Sequence, residues 1–188
     1  MTKYILLIAL SVISSKGNSQ TIDSSFYEYG NYKKNITIMD DTLTKIEIFY
    51  ENGQNMGCIT FPSGPVLLFY VNGIVKLQGE YKNNLKHGEW IEKYSNGNIK
   101  SKEYYLYGKK HSQTNFKYFN QDGQLIESRG YYEDKEDGFY TRYDTKGKLI
   151  ESGTYRDGKK DSYWQEVSDS TIYKFFYKDG VLKDFSIK

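Results

Sequence analysis

Few side chains in this sequence could carry out nucleophilic, acid–base or metal chemistry. It contains two histidines, His87 and His111, and one cysteine, Cys58. The histidines lie 24 residues apart, each directly before a small residue, and no HExxH or CxxC motif accompanies them. Neither a metal centre nor triad-type catalysis is therefore expected, and a lone cysteine allows no intramolecular disulfide.

The densest group of carboxylates is an acidic turn formed by Glu133, Asp134, Glu136 and Asp137. A calcium loop needs acidic or amide side chains at alternate positions, a central glycine and a distal glutamate. Lys135 interrupts the run and that pattern is not met, so the segment is interpreted as a solvated hairpin tip. The 24 acidic residues offer many carboxylate pairs of the kind that hydrolyse glycosides, and none is singled out.

Aromatic side chains are the most abundant candidates for recognition. They make up 17% of the chain and include 20 tyrosines. Large aromatic side chains bury much area at low entropic cost, so they suit surfaces that bind peptides, glycans or proteins. They equally suit the covering of a thin sheet, and both interpretations stay open. We name the six candidates the aromatic strip: Trp90, Tyr94, Tyr118, Tyr140, Tyr143 and Trp164.

The aromatic candidates lie at matching positions of an internal repeat. Small residues at 88, 112, 138 and 162 are separated by 24, 26 and 24 positions, and turn glycines at 73, 97, 123 and 147 keep the same spacing. Two columns with one period are the signature of a repeat architecture. The predicted structural repeat positions are Tyr81, Gly88, Gly97, Tyr105, Gly123, Tyr132, Gly138, Gly147, Tyr155, Gly158, Tyr177 and Gly180.

Each repeat unit is predicted to be a β-hairpin. Pairs such as Asp157-Gly158 and Asp179-Gly180 tolerate the positive φ angles of two-residue hairpin turns. The runs between turns are of strand length and rich in aromatic and β-branched residues, and alanine occurs once in the chain. The sequence therefore predicts an all-β fold, an elongated open antiparallel meander of repeated hairpins.

The chain is predicted to divide into three parts. Residues 1–19 have a lysine, an apolar run of about ten residues and a small polar run, as in a secretory signal peptide, with a helix over this segment. Cleavage is expected before Gln20, or after Gly17 as the alternative. Residues 20–65 are interpreted as an N-terminal cap with diverged repeats, and residues 66–188 as the hairpin repeat array.

The charge balance argues against nucleic acid as a partner. Removal of residues 1–19 deletes Lys3 and Lys16 from the 26 basic residues and leaves them equal in number to the 24 acidic ones. A chain without a basic surplus has no global attraction for nucleic acid or anionic lipid. No integral membrane span is expected after signal cleavage, and the location is expected to be periplasmic, in the cell envelope or extracellular.

The repeat resembles a known family. Gly79, Tyr81, Gly88 and Trp90 resemble the MORN repeat pattern, with Asn84 in place of the usual turn glycine. The variant form found in the bacterial YwqK antitoxin-like family matches more broadly. That form is matched by Gly88, Trp90, Tyr94, Gly97, Ile99, Tyr105 and Gly108-Lys109, and again by Gly138, Tyr140, Tyr143, Gly147, Leu149, Tyr155 and Gly158-Lys159.

The resemblance implies an open array of hairpins and a role in protein assembly. We expect an exported, non-enzymatic interaction scaffold with a protein partner and no cofactor. An antitoxin- or immunity-like inhibitor of a toxin and a carbohydrate-binding or carbohydrate-active envelope protein are the alternatives. An open ribbon also has edge strands that can pair, so self-association is possible.

Overall fold

The computed structural model describes residues 20–23, 32–40, 43–50, 53–111 and 115–188, and these form strands and turns without a helix. The strands are β1 (Gln20–Asp23), β2 (Tyr32–Asp40), β3 (Leu43–Tyr50), β4 (Asn55–Phe61), β5 (Gly64–Phe69), β6 (Val75–Lys82), β7 (Leu85–Lys93), β8 (Ile99–Leu106), β9 (Lys109–Lys110), β10 (Phe116–Phe119), β11 (Leu125–Tyr132), β12 (Lys135–Tyr143), β13 (Leu149–Arg156), β14 (Lys159–Ser168), β15 (Thr171–Lys178) and β16 (Val181–Ile187).

All sixteen strands belong to one sheet with the topology of a meander. Every strand pairs antiparallel with its neighbour in sequence, except that β10 follows β8 in the sheet while the two-residue β9 pairs β8 alone. The sheet is open, with β1 at one end of the strand order and β16 at the other. The predicted all-β open meander of hairpins is confirmed.

Along one side of the sheet, where alternate strands turn back, most hairpins close with a two-residue turn in which both residues have positive φ. Asn83 and Asn84 have φ of 52° and 63°, and Asp157 and Gly158 have 49° and 79°. This conformation matches the right-handed twist of the flanking strands and favours Asn, Asp and Gly. It explains why these residue types recur at this end of each hairpin.

On the opposite side most turns are longer and close on a glycine, although β14 and β15 are joined there by Asp169 and Ser170 alone. At Gly97 the glycine N–H donates to the carbonyl of Tyr94 at 2.9 Å, and the Tyr94 N–H donates to the carbonyl of Asn98 at 2.8 Å. Gly97 has φ of 91°, a conformation that costs side-chain-bearing residues energy and glycine none. The same two hydrogen bonds recur around Gly53, Gly73, Gly123 and Gly147.

Hydrogen bonds between turns fix the register of successive repeats. In the positive-φ turns of the first side, the N–H of the second turn residue donates to a carbonyl one repeat earlier, as from Gly108 to Lys86 at 2.7 Å and from Gly180 to Lys160 at 2.9 Å. At the other end, the Tyr70 hydroxyl donates to the carbonyl of Lys93 at 2.8 Å. Hydrogen bonds on both sides of the sheet therefore tie successive repeats together.

The predicted divisions of the chain fall partly outside this description. The signal peptide and its helix, residues 1–19, lie outside the described residues. The division between residues 65 and 66 falls within β5, and the sheet continues through it. The cap over residues 20–65 and the array over residues 66–188 stay predictions.

The core is a row of aromatic rings on one face of the sheet. Phe116 is fully buried, and ring contacts link neighbours such as Tyr81 to Trp90 and Tyr140 to Trp164. Because successive side chains of a strand point to opposite faces, Phe139 and Tyr163 lie on the other face, where they are 72% and 77% exposed. The meander therefore has one aromatic, packed face and one exposed face.

Candidate functional site

A surface cavity of about 340 Å³ opens beside Trp90, over strands β5 to β8. Its apolar wall consists of Leu68, Leu77 and Trp90. Its polar wall consists of Lys76, Lys86, Glu92, Ser101 and Glu103. We name this cavity the Lys86 groove.

Trp90 reaches this position because a glycine lies beneath it. It follows Gly88, whose φ is 70°, by two residues in β7, and its ring covers Gly79 of β6. A Cβ atom at Gly79 would lie 2.3 Å from Trp90 Cδ2, so only glycine leaves room for the ring. The ring also contacts Tyr81 edge-on at 5.3 Å, and the side chain is 2% exposed.

The ammonium of Lys86 lies between two rings of the core. Its Nζ is 4.4 Å from the centroid of Trp90 and 4.7 Å from that of Tyr105. Such contacts stabilise a cation through the negative faces of the rings. Burial nevertheless lowers the pKa of Lys86, with Lys110 acting in the same direction and Glu103 and Glu92 opposing it.

The carboxylates of the groove are already engaged. Glu92 accepts a hydrogen bond from Lys100 at 2.9 Å. Glu103 accepts from the Tyr105 hydroxyl at 2.8 Å and from the Tyr118 hydroxyl at 3.3 Å. Burial, together with the Glu103 carboxylate, raises the pKa of both tyrosines. These tyrosines therefore remain neutral hydrogen-bond donors to Glu103 well above neutral pH.

The cation between rings recurs along the sheet. Lys110 lies over Phe116 and Tyr131, at 5.3 Å and 4.7 Å from their centroids. Lys160 lies over Trp164 at 4.0 Å and over Tyr177 at 5.6 Å. The repeated arrangement lets lysine stems pack on the aromatic row.

In one repeat, the position of the lysine is occupied by an acidic residue. Glu136 occupies the lysine position there, and Arg129 from the adjacent strand supplies the cation, 5.0 Å from the centroid of Tyr140. Arg129 pairs with Glu136 and, at 3.0 Å, with Glu127. Burial opposes its charge, but the two carboxylates prevail and raise the pKa of Arg129. This repeat therefore also has a cation beside its rings, but Arg129 supplies it from β11 instead of a lysine on β12.

The aromatic strip does not form one exposed surface. Trp90, Tyr140 and Trp164 lie in the packed aromatic face, at 2%, 5% and 2% exposure. The rings of Tyr140 and Trp164 stack at 5.6 Å, and a side chain already covered by its neighbours has little area left for a partner. For these three residues the burial favours the interpretation that they cover the sheet.

The other three members of the aromatic strip are half-buried and occupy different environments. The Tyr94 hydroxyl donates to the carbonyl of Phe119 at 2.9 Å, which ties two repeats together. Tyr118 donates to Glu103 beside the groove. Tyr143 lies at the register shift between β12 and β13, where it pairs with Leu149. Of the strip, only Trp90 lines the groove.

The repeat positions need one correction. Tyr81, Tyr105 and Tyr155 pair with the lysine of the next strand, but Tyr132 pairs with Lys135 directly beside the turn and is 58% exposed. Tyr131 takes the equivalent place and packs edge-on against Phe116 at 4.8 Å. Tyr132 was matched by residue type, whereas the Glu133-Asp134 turn sets the register one residue earlier.

The glycine positions lie at the turns and register shifts. Gly97, Gly123 and Gly147 close the longer turns, and Gly158 and Gly180 complete two-residue turns. Gly88 and Gly138 lie within β7 and β12 at positive φ, two residues before Trp90 and Tyr140. Tyr177 pairs with Leu182 and lies near Trp164.

The carboxylates of the acidic turn contact different partners and do not converge on one point. Glu133 pairs with Lys109 at 3.2 Å, and Asp134 accepts from the Lys110 N–H at 2.8 Å. Asp137 accepts from the Asp157 N–H at 3.1 Å. Within the described ranges, no group of three or more His, Cys, Asp or Glu side chains is arranged to hold a metal ion.

The cations of the aromatic row were not among the residues singled out from the sequence. Lys86, Lys110 and Lys160 each follow a tyrosine of the repeat by five positions, so the repeat spacing contained the signal. Phe116, the most buried ring, was missed because it lies in β10, whose preceding residues depart from the repeat spacing.

Comparison with known families agrees with the repeat geometry. The family model of the MORN repeat variant matches residues 86–107, which run from Lys86 through the Gly97 turn to the end of β8 and Tyr107. The chain therefore contains a MORN repeat variant, as the resemblance of the motif residues predicts. The finer resemblance to the YwqK antitoxin-like family stays a prediction.

Neither a curated relative nor, among the described residues, a membrane-spanning helix is found. A search of curated proteins finds no match to the chain. In the part of the chain that the structure describes, no helix has the length and apolar character needed to cross a membrane.

Proposed function

We propose that the chain is an exported, non-enzymatic repeat protein that acts as a scaffold and holds a protein partner in the Lys86 groove. The observation that carries the proposal is the groove itself, a cavity of about 340 Å³ with an apolar wall and a desolvated ammonium. Pockets that combine apolar walls with a few placed polar groups are the usual form of binding sites.

The surrounding fold supports a role in holding a partner. The groove spans strands of two successive hairpins, and turn-to-turn hydrogen bonds such as Asn84 to Pro62 and Gly108 to Lys86 fix their register. A site built on strands of a fixed register is preorganised, so less ordering is needed when a partner binds. Export rests on the leader-like composition of residues 1–19.

Site-specific photo-crosslinking tests the proposal. A photoreactive amino acid replaces Lys76 at the groove, and a control places it at Lys146, in an exposed turn far along the sheet. Irradiation of the native envelope or medium is expected to give one defined adduct from position 76 and none from position 146. Equal adducts at both positions, no adduct at position 76, or turnover of a substrate by the purified protein would contradict it.

The finer identity of the partner can be tested genetically. The resemblance to the YwqK antitoxin-like family makes a toxin one candidate partner. Co-expression with a toxin-like neighbouring gene is expected to rescue growth if the chain is an inhibitor. Rescue must be lost when bulky substitutions fill the groove, because inhibition would otherwise act through another surface.

A second candidate function is glycan binding, and the exposed face favours it. Phe139 and Tyr163 lie at equivalent positions of two repeats, both strongly exposed. Two strand spacings separate them, roughly 10 Å, which suits stacking of sugar rings on two platforms. Retardation in polysaccharide gels that is lost in a Phe139→Ser, Tyr163→Ser double variant would establish this function.

A further inference from the structure

Two lysines at the same repeat position have different surroundings. Lys160 is paired inside its own repeat, with Glu151 at 3.2 Å and Glu166 at 4.0 Å. Lys86 has Leu77 at the position of Glu151, since Leu77 and Glu151 each precede the equivalent tyrosine by four residues. An apolar side chain therefore stands where the later repeat supplies the carboxylate.

Lys86 consequently forms no ion pair with any described residue, although two carboxylates line the same groove. Glu92 is held by Lys100, and Glu103 is held by two tyrosine hydroxyls. The ammonium is half-buried between the rings of Trp90 and Tyr105, where its loss of hydration is not offset by a direct counter-charge. Burial without pairing leaves a cation in need of an anion.

The neighbouring charges also favour an anion. Lys76 and Lys86 line the groove together with two glutamates. Lys100, which is not part of the lining, already pairs with Glu92, and Lys110 is close enough to lower the pKa of Lys86. Trp90 also differs from its counterpart in the later repeat: its Nε1 is buried without a hydrogen-bond partner among the described residues, whereas Trp164 Nε1 donates to the Thr154 carbonyl at 3.0 Å.

We propose that the Lys86 groove binds a carboxylate from an acidic residue of the partner, flanked in the partner's peptide segment by an aliphatic residue. The partner's carboxylate supplies to Lys86 the counter-charge that Glu151 supplies to Lys160. The aliphatic neighbour packs on Leu68, Leu77 and the edge of Trp90. This inference rests on the proposed scaffold function and specifies the chemistry of its partner.

Two short peptides test the inference on the whole chain. Acetyl-Leu-Glu-Leu-amide carries the carboxylate, and acetyl-Leu-Gln-Leu-amide is its neutral match. The two tryptophan indole N–H resonances in a nitrogen-correlated NMR spectrum report binding separately, Trp90 at the groove and Trp164 as the internal reference. The acidic peptide is expected to shift Trp90 and leave Trp164 unmoved, with affinity about tenfold above that of the neutral peptide.

Matched variants assign the effect to one ammonium. Lys86→Met is expected to reduce the affinity for the acidic peptide about tenfold, and Lys86→Arg is expected to restore it. Lys160→Met removes the equivalent lysine from a repeat that has its own carboxylates, and is expected to leave the affinity unchanged. Thermal unfolding of each variant confirms that the sheet is intact before binding is compared.

The outcomes separate this inference from the scaffold function. Equal binding of the two peptides, no shift of Trp90 with either, or full affinity in Lys86→Met would overturn the carboxylate site. A crosslinked partner at position 76 would still support the scaffold under any of those results. Conversely, an acidic peptide that binds through Lys86 in a protein without a crosslinked partner would support the site and contradict the scaffold.

Discussion

At the residue scale, the packed face is organised by rings that cover glycines. Trp90 lies over Gly79, and Trp164 lies over Gly153, where an added Cβ would come within 2.1 Å of the ring. Glycine normally weakens a strand, because it contributes no side chain to the packing. An indole placed over it supplies the missing contacts, so each tryptophan and its glycine act as one unit.

The first prediction tests whether Gly79 is required because of the Trp90 ring above it. Gly79→Ala is expected to destabilise the protein by about 1–3 kcal/mol, because the new Cβ overlaps the Trp90 ring. Chemical denaturation measures the change. In a Trp90→Ala background the same substitution is expected to cost much less, and an unchanged cost there would place the strain elsewhere.

The second prediction concerns burial of the tryptophan itself. Trp90→Ala is expected to lower the free energy of unfolding by about 3–5 kcal/mol, since the ring is almost fully buried. Tyr163→Ala, on the exposed face, serves as the control and is expected to change it by less than about 0.5 kcal/mol. A small change in the free energy of unfolding for Trp90→Ala would instead favour a binding role for Trp90.

At the element scale, the two kinds of turn determine which residues align between hairpins. Two-residue turns such as Asp157-Gly158 have positive φ at both positions, and the longer turns have it at the closing glycine. Side chains then follow by counting from the turn, whatever their chemical type. The repeat is therefore defined by backbone conformation first and by aromatic residues second.

The third prediction isolates that backbone requirement. Gly147 has φ of 79° and no atom within 4 Å of an added Cβ, so a substitution there meets no steric neighbour. Gly147→Ala is expected to cost about 1–2 kcal/mol from backbone strain alone. Lys146→Ala, in the same turn at negative φ, is expected to be near neutral in the same denaturation assay.

Turn counting also explains which parts of the fold were predictable. Spacing of turn glycines sufficed for the hairpins and the meander, and the resemblance of the motif residues to a known repeat sufficed for the MORN repeat variant. It did not distinguish Tyr131 from Tyr132, and it paired Tyr94 with Tyr143 although Tyr94 aligns with Asp144 from the Gly97 and Gly147 turns. A tyrosine one residue away satisfies a motif equally well, but it points to the opposite face of the sheet.

The groove was less predictable than the fold for a different reason. Its key feature is that Lys86 forms no ion pair with a described residue, because Leu77 lies at the position that Glu151 occupies in the later repeat. A sequence records both residues without showing that they share a site. Only the register of β6 against β7 shows that Leu77 and Lys86 share a site.

At the scale of the whole molecule, the rings of a single sheet must be protected from water by each other. Burial raises the pKa of tyrosines along the array, including Tyr105, Tyr118, Tyr140 and Tyr155, the last to about 12. Their neutral form is thus favoured by folding over a long stretch of the molecule. The stability of the sheet should depend on pH in the alkaline range.

The fourth prediction gives that dependence a direction. An unfolded tyrosine ionises near pH 10, so the folded state binds more protons above that pH. The stabilisation from these tyrosines is expected to be fully present below pH 10 and to be lost as the pH rises through their raised pKa values, the pKa of Tyr155 being about 12. Tyrosinate absorbance and circular dichroism are expected to change together, and ionisation of all tyrosines with the fold intact would contradict the expectation.

The fifth prediction tests whether the array behaves as a chain of nearest neighbours. Trp90 in β7 and Trp164 in β14 are six strand spacings apart in the sheet, roughly 30 Å, and each contacts only its own and adjacent hairpins. The Trp90→Ala, Trp164→Ala double variant is expected to lose the sum of the two single losses, within about 0.5 kcal/mol. Tyr140 and Trp164 stack at 5.6 Å, so their double alanine variant is expected to depart from additivity by about 0.5–3 kcal/mol. Coupling of the distant pair as strong as that of the stacked pair would mean that the sheet transmits strain along its whole length, and the repeats would then not be independent units.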